Sequence, residues 1–206
     1  MTEFTSPAVG AILVGGRARR MGGGDKCLSL LGGKSILARI IETFSPQVSA
    51  LLLNANGDSD RFSNFELPIL PDSVGDYAGP LAGILTSMRW AEGFDFDWLV
   101  TVAGDAPFIP DDLVSRCLDR AKRTGADIVC VASGGRTHPV CGLWNVSLAE
   151  DLENALVNDG VRKIDKWTSG FGLAVEKFNA TPVDPFFNVN SPADLNEAEV
   201  LLSNFL

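Results

Sequence analysis

The sequence predicts a three-layer α/β fold with a mostly parallel mixed sheet, and three observations carry that expectation. Short, continuously apolar runs of strand length recur at 8–14, 48–53, 98–103 and 128–132. Such runs suit strands buried on both faces. Stretches with apolar residues at helical spacing alternate with them, at 35–44, 81–90, 148–157 and 193–202, and that alternation predicts a parallel sheet covered on both sides. Finally, the polar clusters at 15–26, Asn54, Asp72 and Asp105 each follow a separate apolar run. Sheets of this kind bind ligands beyond the carboxyl ends of their strands, where strand order reverses. The four clusters are therefore expected to converge on one cleft.

Taken in order, residues 1–7 are a short polar lead without the basic start and separate apolar segment of a signal peptide. The first strand ends at Gly15-Gly16, and Arg17, Arg19, Arg20, Gly22, Gly23, Gly24, Asp25 and Lys26 follow. Backbone N–H groups in a glycine-rich loop after a buried strand can turn inward as an anion nest. The four cations add charge-assisted donors for phosphate. The stretch reads as a triphosphate cradle, with a flexible, solvated basic loop as the plain alternative. A Walker loop is excluded because Leu28 stands where the first glycine before Gly33-Lys34-Ser35 belongs. Gly15-Gly16-Arg17 likewise lacks the spacing of a dinucleotide fingerprint.

Ser35 is placed to cap the first helix. The second strand runs into Asn54-Ala55-Asn56-Gly57, and the apolar pair Ile69-Leu70 leads into Pro71-Asp72-Ser73. After the helix at 81–90, the strand at 98–103 closes on Gly104-Asp105-Ala106-Pro107. Pro110-Asp111-Asp112 is expected to open a helix, with proline and acids in its first turn. The strand at 128–132 turns at Gly134-Gly135 into an antiparallel partner at 140–146. A helix at 148–157, a break at Gly160 and a short basic helix around Arg162 and Lys163 follow. The segment 186–192 turns the chain into its last helix. With no repeat and no linker, the 206 residues read as one domain, 1–206.

Composition narrows the function. A hydrophobic content of 46% with 21% charged residues is that of an ordinary soluble chain, and no apolar run approaches the ~18 residues of a membrane span. Cys27, Cys117, Cys130 and Cys141 form no C-x-x-C pair. Reduced, buried thiols in a cytoplasmic protein are expected. The net charge of −9 argues against broad nucleic-acid binding. Four of the 17 Lys and Arg residues nevertheless fall between positions 17 and 26, which suits a small phosphorylated ligand with a divalent cation.

Asp105, at the end of a buried run beside a glycine, is placed to hold Mg²⁺ against a triphosphate; an Asx turn is the structural alternative. Asp72 and Asn54 are candidates for base or ribose contacts, or for satisfying turn backbone. His138, the single histidine, reads as a structural or substrate-edge residue rather than a base. The four tryptophans read as core or rim packing, and no Ser-His-Asp arrangement is evident.

The stretch Leu13-Val14-Gly15-Gly16 through Gly22-Gly23-Gly24-Asp25-Lys26 resembles the signature loop of the molybdenum cofactor guanylyltransferases. The likeness continues through Asn54-Ala55-Asn56, Asp72 to Gly83, Gly104-Asp105-Ala106-Pro107, His138-Pro139 and Asn188-Val189-Asn190-Ser191-Pro192. The resemblance implies a Rossmann-like nucleotidyltransferase fold in which GTP and molybdenum-molybdopterin give molybdopterin guanine dinucleotide and pyrophosphate. It implies a GTP site at Leu13, Val14, Gly15, Lys26, Asn54, Asp72 and Asp105, with Asp105 holding Mg²⁺. Arg20, Gly23, Asn188 and Asn190 match positions expected near the phosphates or the pterin. Three positions depart from the pattern: Val14 for alanine, Gly104 for cysteine, and Gly57 where an arginine often follows the Asn-Ala-Asn triplet. The related cytidylyltransferases carry Ala-Ala-Gly at the place of Gly15-Gly16.

The expected chemistry is in-line attack of the pterin phosphate on the α-phosphorus of GTP, helped by Lys26, Arg20, loop N–H groups and Mg²⁺. The rivals are a CTP-using enzyme on the same scaffold, a non-catalytic cofactor carrier or regulator, and a sugar-phosphate nucleotidyltransferase. Expected partners are small-molecule substrates, then molybdoenzyme maturation proteins or acceptor apoenzymes, with neither nucleic acid nor membrane. A monomer or weak homo-oligomer is expected.

Overall fold

The computed structural model describes residues 7–14, 25–75 and 79–205. Its strands are β1 (Ala8–Leu13), β2 (Leu30–Leu31), β3 (Lys34–Ser35), β4 (Leu51–Asn54), β5 (Ile69–Leu70), β6 (Trp98–Ala103), β7 (Ile128–Ser133), β8 (Arg136–Asn145) and β9 (Leu173–Lys177). The helices are α1 (Ile36–Phe44), α2 (Pro80–Ala91), α3 (Leu113–Thr124), α4 (Ala149–Val157), α5 (Ile164–Thr168) and α6 (Pro192–Phe205).

Seven strands form one sheet in the order β5-β4-β1-β6-β8-β7-β9, and β2 and β3 make a separate small hairpin. β8 is antiparallel to both its neighbours, while every other pair in the large sheet is parallel. β1 is buried along its whole length because helices cover both its faces. Its alternate residues Ala8 and Ile12 join a core with α1 and α3. Val9, Ala11 and Leu13 join the opposite core, with α2, α4 and α5. This is the period-two division of a strand between two layers, and it gives the expected three-layer α/β arrangement.

Ser35 caps α1 as expected, its Oγ accepting from Ala38 N at 3.1 Å. Three other boundaries move. The strand expected from residue 48 begins at Leu51, because a 3-10 turn over Ser45–Gln47, with Pro46 inside it, delays the extended chain. α3 starts at Leu113, so Pro110, Asp111 and Asp112 precede the helix instead of filling its first turn, and Asp112 makes no side-chain cap. The basic helix expected around Arg162 and Lys163 begins only at Ile164. Arg162 instead donates to the Leu156 and Val161 carbonyls at 2.8 and 2.9 Å, satisfying an acceptor at the end of α4.

β9 had no sequence counterpart. It is an edge strand with only Ala174 and Glu176 buried, too few apolar residues to register as a run. The antiparallel partner of β7 is longer than expected, since β8 reaches back to Arg136. The four cysteines are free thiols, three buried and Cys130 half-buried. Trp144 and Trp167 stack in the core with ring centroids 6.1 Å apart. Among the described residues, no helix is long and apolar enough to cross a membrane.

Candidate active site

The chain moves outward from β1 to β4 and β5, then returns to lay β6 on the other side of β1. Strand order therefore reverses at β1, the place where such sheets leave a crevice beyond the strand ends. The pairing is level: Leu13 lies opposite Asn54 and Ala103, and Asn54 lies opposite Leu70. The segments carrying Asp72, Asn54, Val14 and Asp105 thus leave the sheet along one edge, in that order. From β5 to β6 the edge spans three strand spacings, about 14 Å.

At one end is a closed polar cluster around Asn54, which is only 2% exposed. Its Nδ2 donates to Leu70 O and to Asp72 Oδ1, both at 3.1 Å, using both amide hydrogens. Asn56 Nδ2 donates to the other Asp72 oxygen at 2.8 Å, and Asn56 Oδ1 accepts from Asp72 N at 2.8 Å. Helix α2 closes over this corner at Gly83. A Cβ there would lie 2.3 Å from Asn54 Oδ1, so only glycine allows the approach.

At the other end, Lys26 and Asp105, far apart in sequence, come within electrostatic reach of one another. Lys26 sits at the start of a short 3-10 helix anchored by buried Cys27. Its ammonium donates to Asn190 Oδ1 at 2.8 Å, across 164 residues. Asp105 is raised above the usual carboxylate range, chiefly by burial, with the positive charge of Lys26 acting against the rise. The Asp105 carbonyl accepts from Val189 N at 2.9 Å. Val189 is buried between exposed Asn188 and Asn190. Asn190 N donates to Asp194 Oδ2 at 2.8 Å, and Asp194 N donates to Ser191 Oγ at 3.2 Å. These bonds fasten the segment to the start of α6, and the bond from Asn190 N, followed by one from the Ser191 side chain, holds the Asp194 carboxyl below its usual range.

Leu13 and Val14 lie between the two ends, Leu13 buried and Val14 half-buried. The candidates Gly15, Arg20 and Gly23 lie outside the described residues. Among the described residues, no group of three or more His, Cys, Asp or Glu could hold a metal ion. A single carboxylate with ligand phosphates and water is nevertheless an ordinary donor set for Mg²⁺. A carboxyl that burial leaves short of positive charge, as Asp105 is, fits it.

Two departures noted in the sequence turn out to be one exchange of volume. A Cβ at Gly104 would lie 2.4 Å from Val14 Cγ1 and 3.2 Å from Leu13 O. The larger side chain just after β1 occupies the space that a side chain after β6 would need. The third departure, at Gly57, is also partly filled. The guanidinium of Arg61 lies 3.8 Å from where a Gly57 Cβ would stand, donates to Asn56 O, and pairs with Asp25 at 3.1 Å. Arg61 bridges the Asn54 corner to the residue before Lys26. No motif marked it, because it acts across a turn. Asn56 shows in the sequence only as part of the Asn-Ala-Asn triplet, although its spacing of two from Asn54 would put both on one side of an extended chain.

The sequence matches the profile of the MobA-like NTP transferase domain over residues 10–171. The chain belongs to that family. A molybdenum cofactor guanylyltransferase of Nitrobacter hamburgensis is 45% identical over 203 residues, covering 98% of this chain and 97% of the relative. One from Bradyrhizobium sp. is 46% identical, covering 98% and 96%. Among solved structures, molybdopterin-guanine dinucleotide biosynthesis protein A from Archaeoglobus fulgidus superposes with a TM-score of 0.76 at 25% identity, covering 96% of this chain and all of that one. Like its relatives, this family member is a nucleotidyltransferase, with the mixed Rossmann-like sheet of that fold.

Proposed function

We propose that the chain, acting as one domain over 1–206, transfers GMP from GTP to the terminal phosphate of molybdenum-molybdopterin. The products are molybdopterin guanine dinucleotide and pyrophosphate. The observation carrying this reading is that Lys26 is bonded to Asn190 and its charge acts on Asp105 beside the strand-order reversal, in a chain whose full-length relatives are guanylyltransferases. In this reading the base and ribose lie toward Asn54 and Asp72. The triphosphate is taken by Leu13, Val14, Gly15 and Lys26, and Arg20, Gly23, Asn188 and Asn190 serve the incoming pterin phosphate.

A pterin phosphate oxygen attacks the α-phosphorus of GTP, and the bond from that phosphorus to the oxygen bridging to the β-phosphate breaks. A phosphate monoester is already nucleophilic, so no general base is required. Lys26 and Arg20 neutralise charge as it moves onto the leaving pyrophosphate, and loop N–H groups hold the phosphates in line. Asp105 is the residue that would hold Mg²⁺, which when bound withdraws charge from the phosphoryl oxygens. Asn190 fixes where the Lys26 ammonium points.

The test is a competition between α-labelled GTP and α-labelled CTP, at equal concentration, with Mg²⁺ and metal-loaded pterin. Label from GTP in a pterin dinucleotide, with equimolar pyrophosphate, is the expected result. Label chiefly from CTP would reassign the base, and tight GTP binding with no transfer would make the protein a carrier.

A further inference from the structure

His138 is bound in a network that points away from acid–base work and toward the site. Its Nε2 lies 2.7 Å from Ser133 Oγ, and Ser133 Oγ donates to Asp184 Oδ1 at 2.5 Å. A hydroxyl has one proton to give. With that proton directed to the Asp184 carboxylate, the ring nitrogen is the donor to serine. The sequence showed no Ser-His-Asp arrangement; the structure does bring the three residues together, but in the reverse sense of a nucleophilic triad, where serine gives its proton to histidine. Ser133 is not activated, and His138 Nε2 is not free to accept a substrate proton.

What the network holds is the segment 184–190. The Asp184 carboxylate also accepts from Phe186 N at 3.0 Å and pairs with Arg136 at 3.6 Å. Phe186 is fully buried, and its ring packs on His138 and Phe178 with centroids 4.9 and 5.3 Å away. From this anchor the chain runs on to Val189, whose N–H meets the Asp105 carbonyl at 2.9 Å. It then reaches Asn190, which holds Lys26. The β7–β8 hairpin is thereby tied to the stretch of chain that touches both halves of the Lys26 corner.

We propose that His138 and Ser133 are positioning residues for the transfer reaction. Through Asp184 they fix how residues 184–190 lie, and so keep Asn190 on the Lys26 ammonium and Val189 on the Asp105 backbone. The catalytic part of this inference rests on the proposed nucleotidyl transfer; the structural part does not.

The experiment compares wild type with His138→Phe, His138→Gln, Ser133→Ala, Asn190→Ala and the double variant His138→Phe/Asn190→Ala. His138→Phe keeps a ring against Phe186 and removes the donor; His138→Gln restores an N–H. Hydrogen exchange at the Val189 amide is read beside kcat and the KM for GTP. The expected result for His138→Phe is faster Val189 exchange and a kcat reduced by up to ~10²-fold, the scale of a small misplacement. KM should hold, His138→Gln should recover part of both effects, and adding His138→Phe to Asn190→Ala should cost nothing further. Unchanged Val189 protection in both His138→Phe and Ser133→Ala overturns the proposal, as does a double variant whose losses multiply. If His138→Phe fails to fold, Ser133→Ala carries the same comparison. Should wild type form no pterin product, the transfer reading fails by itself, while Val189 exchange still decides whether the strut exists.

Discussion

The two ends of the site edge are built on opposite principles. The Asn54 corner is closed: both Asp72 oxygens and both Asn54 amide hydrogens are engaged within the protein. The Lys26 corner is more open: among the described residues the ammonium donates to Asn190, and its charge reaches a carboxyl that burial has pushed toward its neutral form. A closed, internally hydrogen-bonded cluster is formed before any ligand arrives and suits shape recognition. Unspent charge is what stabilises charge that develops during a reaction. For the proposed transfer, the contrast predicts that one end serves binding and the other rate, and substitutions at each end test that division.

The largest expected effect is at the open end. Asp105→Asn removes the charge while keeping the shape, and should reduce kcat by ~10²–10³-fold, the usual loss for one electrostatic group. The same substitution should stabilise the metal-free protein. Because the folded pKa of Asp105 is raised above the unfolded value, the native state binds more protons than the unfolded state between the two values. Stability contributed there is full below the unfolded pKa and is lost as pH rises through the folded one. At neutral pH the variant should therefore melt higher than wild type in a chelator, with the advantage shrinking in acid. An unaltered melting temperature at both pH values would remove the claim that this carboxyl is strained by burial.

Next comes Gly83→Ala, which attacks the closed end. The new methyl would stand 2.3 Å from Asn54 Oδ1 and 3.2 Å from its Cγ. Helix α2 or Asn54 must shift, at about 1–3 kcal/mol for an overpacked site. The expected signature is a higher KM for GTP and a lower melting temperature, with kcat nearly kept. A fall in kcat as large as that of Asp105→Asn would end the division of labour between the two corners.

Asn56→Ala is milder. It removes both bonds to Asp72 and leaves a partly solvated carboxylate to find water, at a cost of roughly 1 kcal/mol. GTP affinity should weaken by several-fold, read by titration calorimetry, with the Lys26 corner undisturbed.

How far the sequence disclosed this site follows from how local each part is. The strand ends were legible because a buried run followed by glycine, asparagine or aspartate is a local pattern, as with Leu99 to Asp105. Family resemblance placed Lys26 at the GTP and Asn190 near the phosphates or the pterin, but their direct bond was not foreseen, since a contact across 164 residues leaves no periodic trace. The fit of Val14 into the space beside Gly104 was visible as two separate oddities; only geometry joined them. β9 was missed because an edge strand with two buried residues offers no apolar run. The start of α3 was misplaced because Pro110 and two acids look like a first turn, whereas the chain there takes a separate turn and the helix begins at Leu113.

The smallest expected effect is at Arg61, the residue that joins the two corners. Its guanidinium touches Asn56 O on one side and Asp25 on the other, so a loss there could in principle disturb both recognition and rate. The magnitude decides otherwise. Its pair with Asp25 is partly exposed, with side-chain exposures of 33% and 21%, and pairs of this kind contribute about 0.2–1 kcal/mol. Arg61→Met keeps most of the stem and should therefore change KM for GTP no more than ~fivefold, with kcat unchanged. The small loss should shrink further as salt is raised, because screening already weakens an exposed pair. If Arg61→Met instead lowers kcat as steeply as Asp105→Asn, the two corners are mechanically one, and Arg61 is the element that couples them.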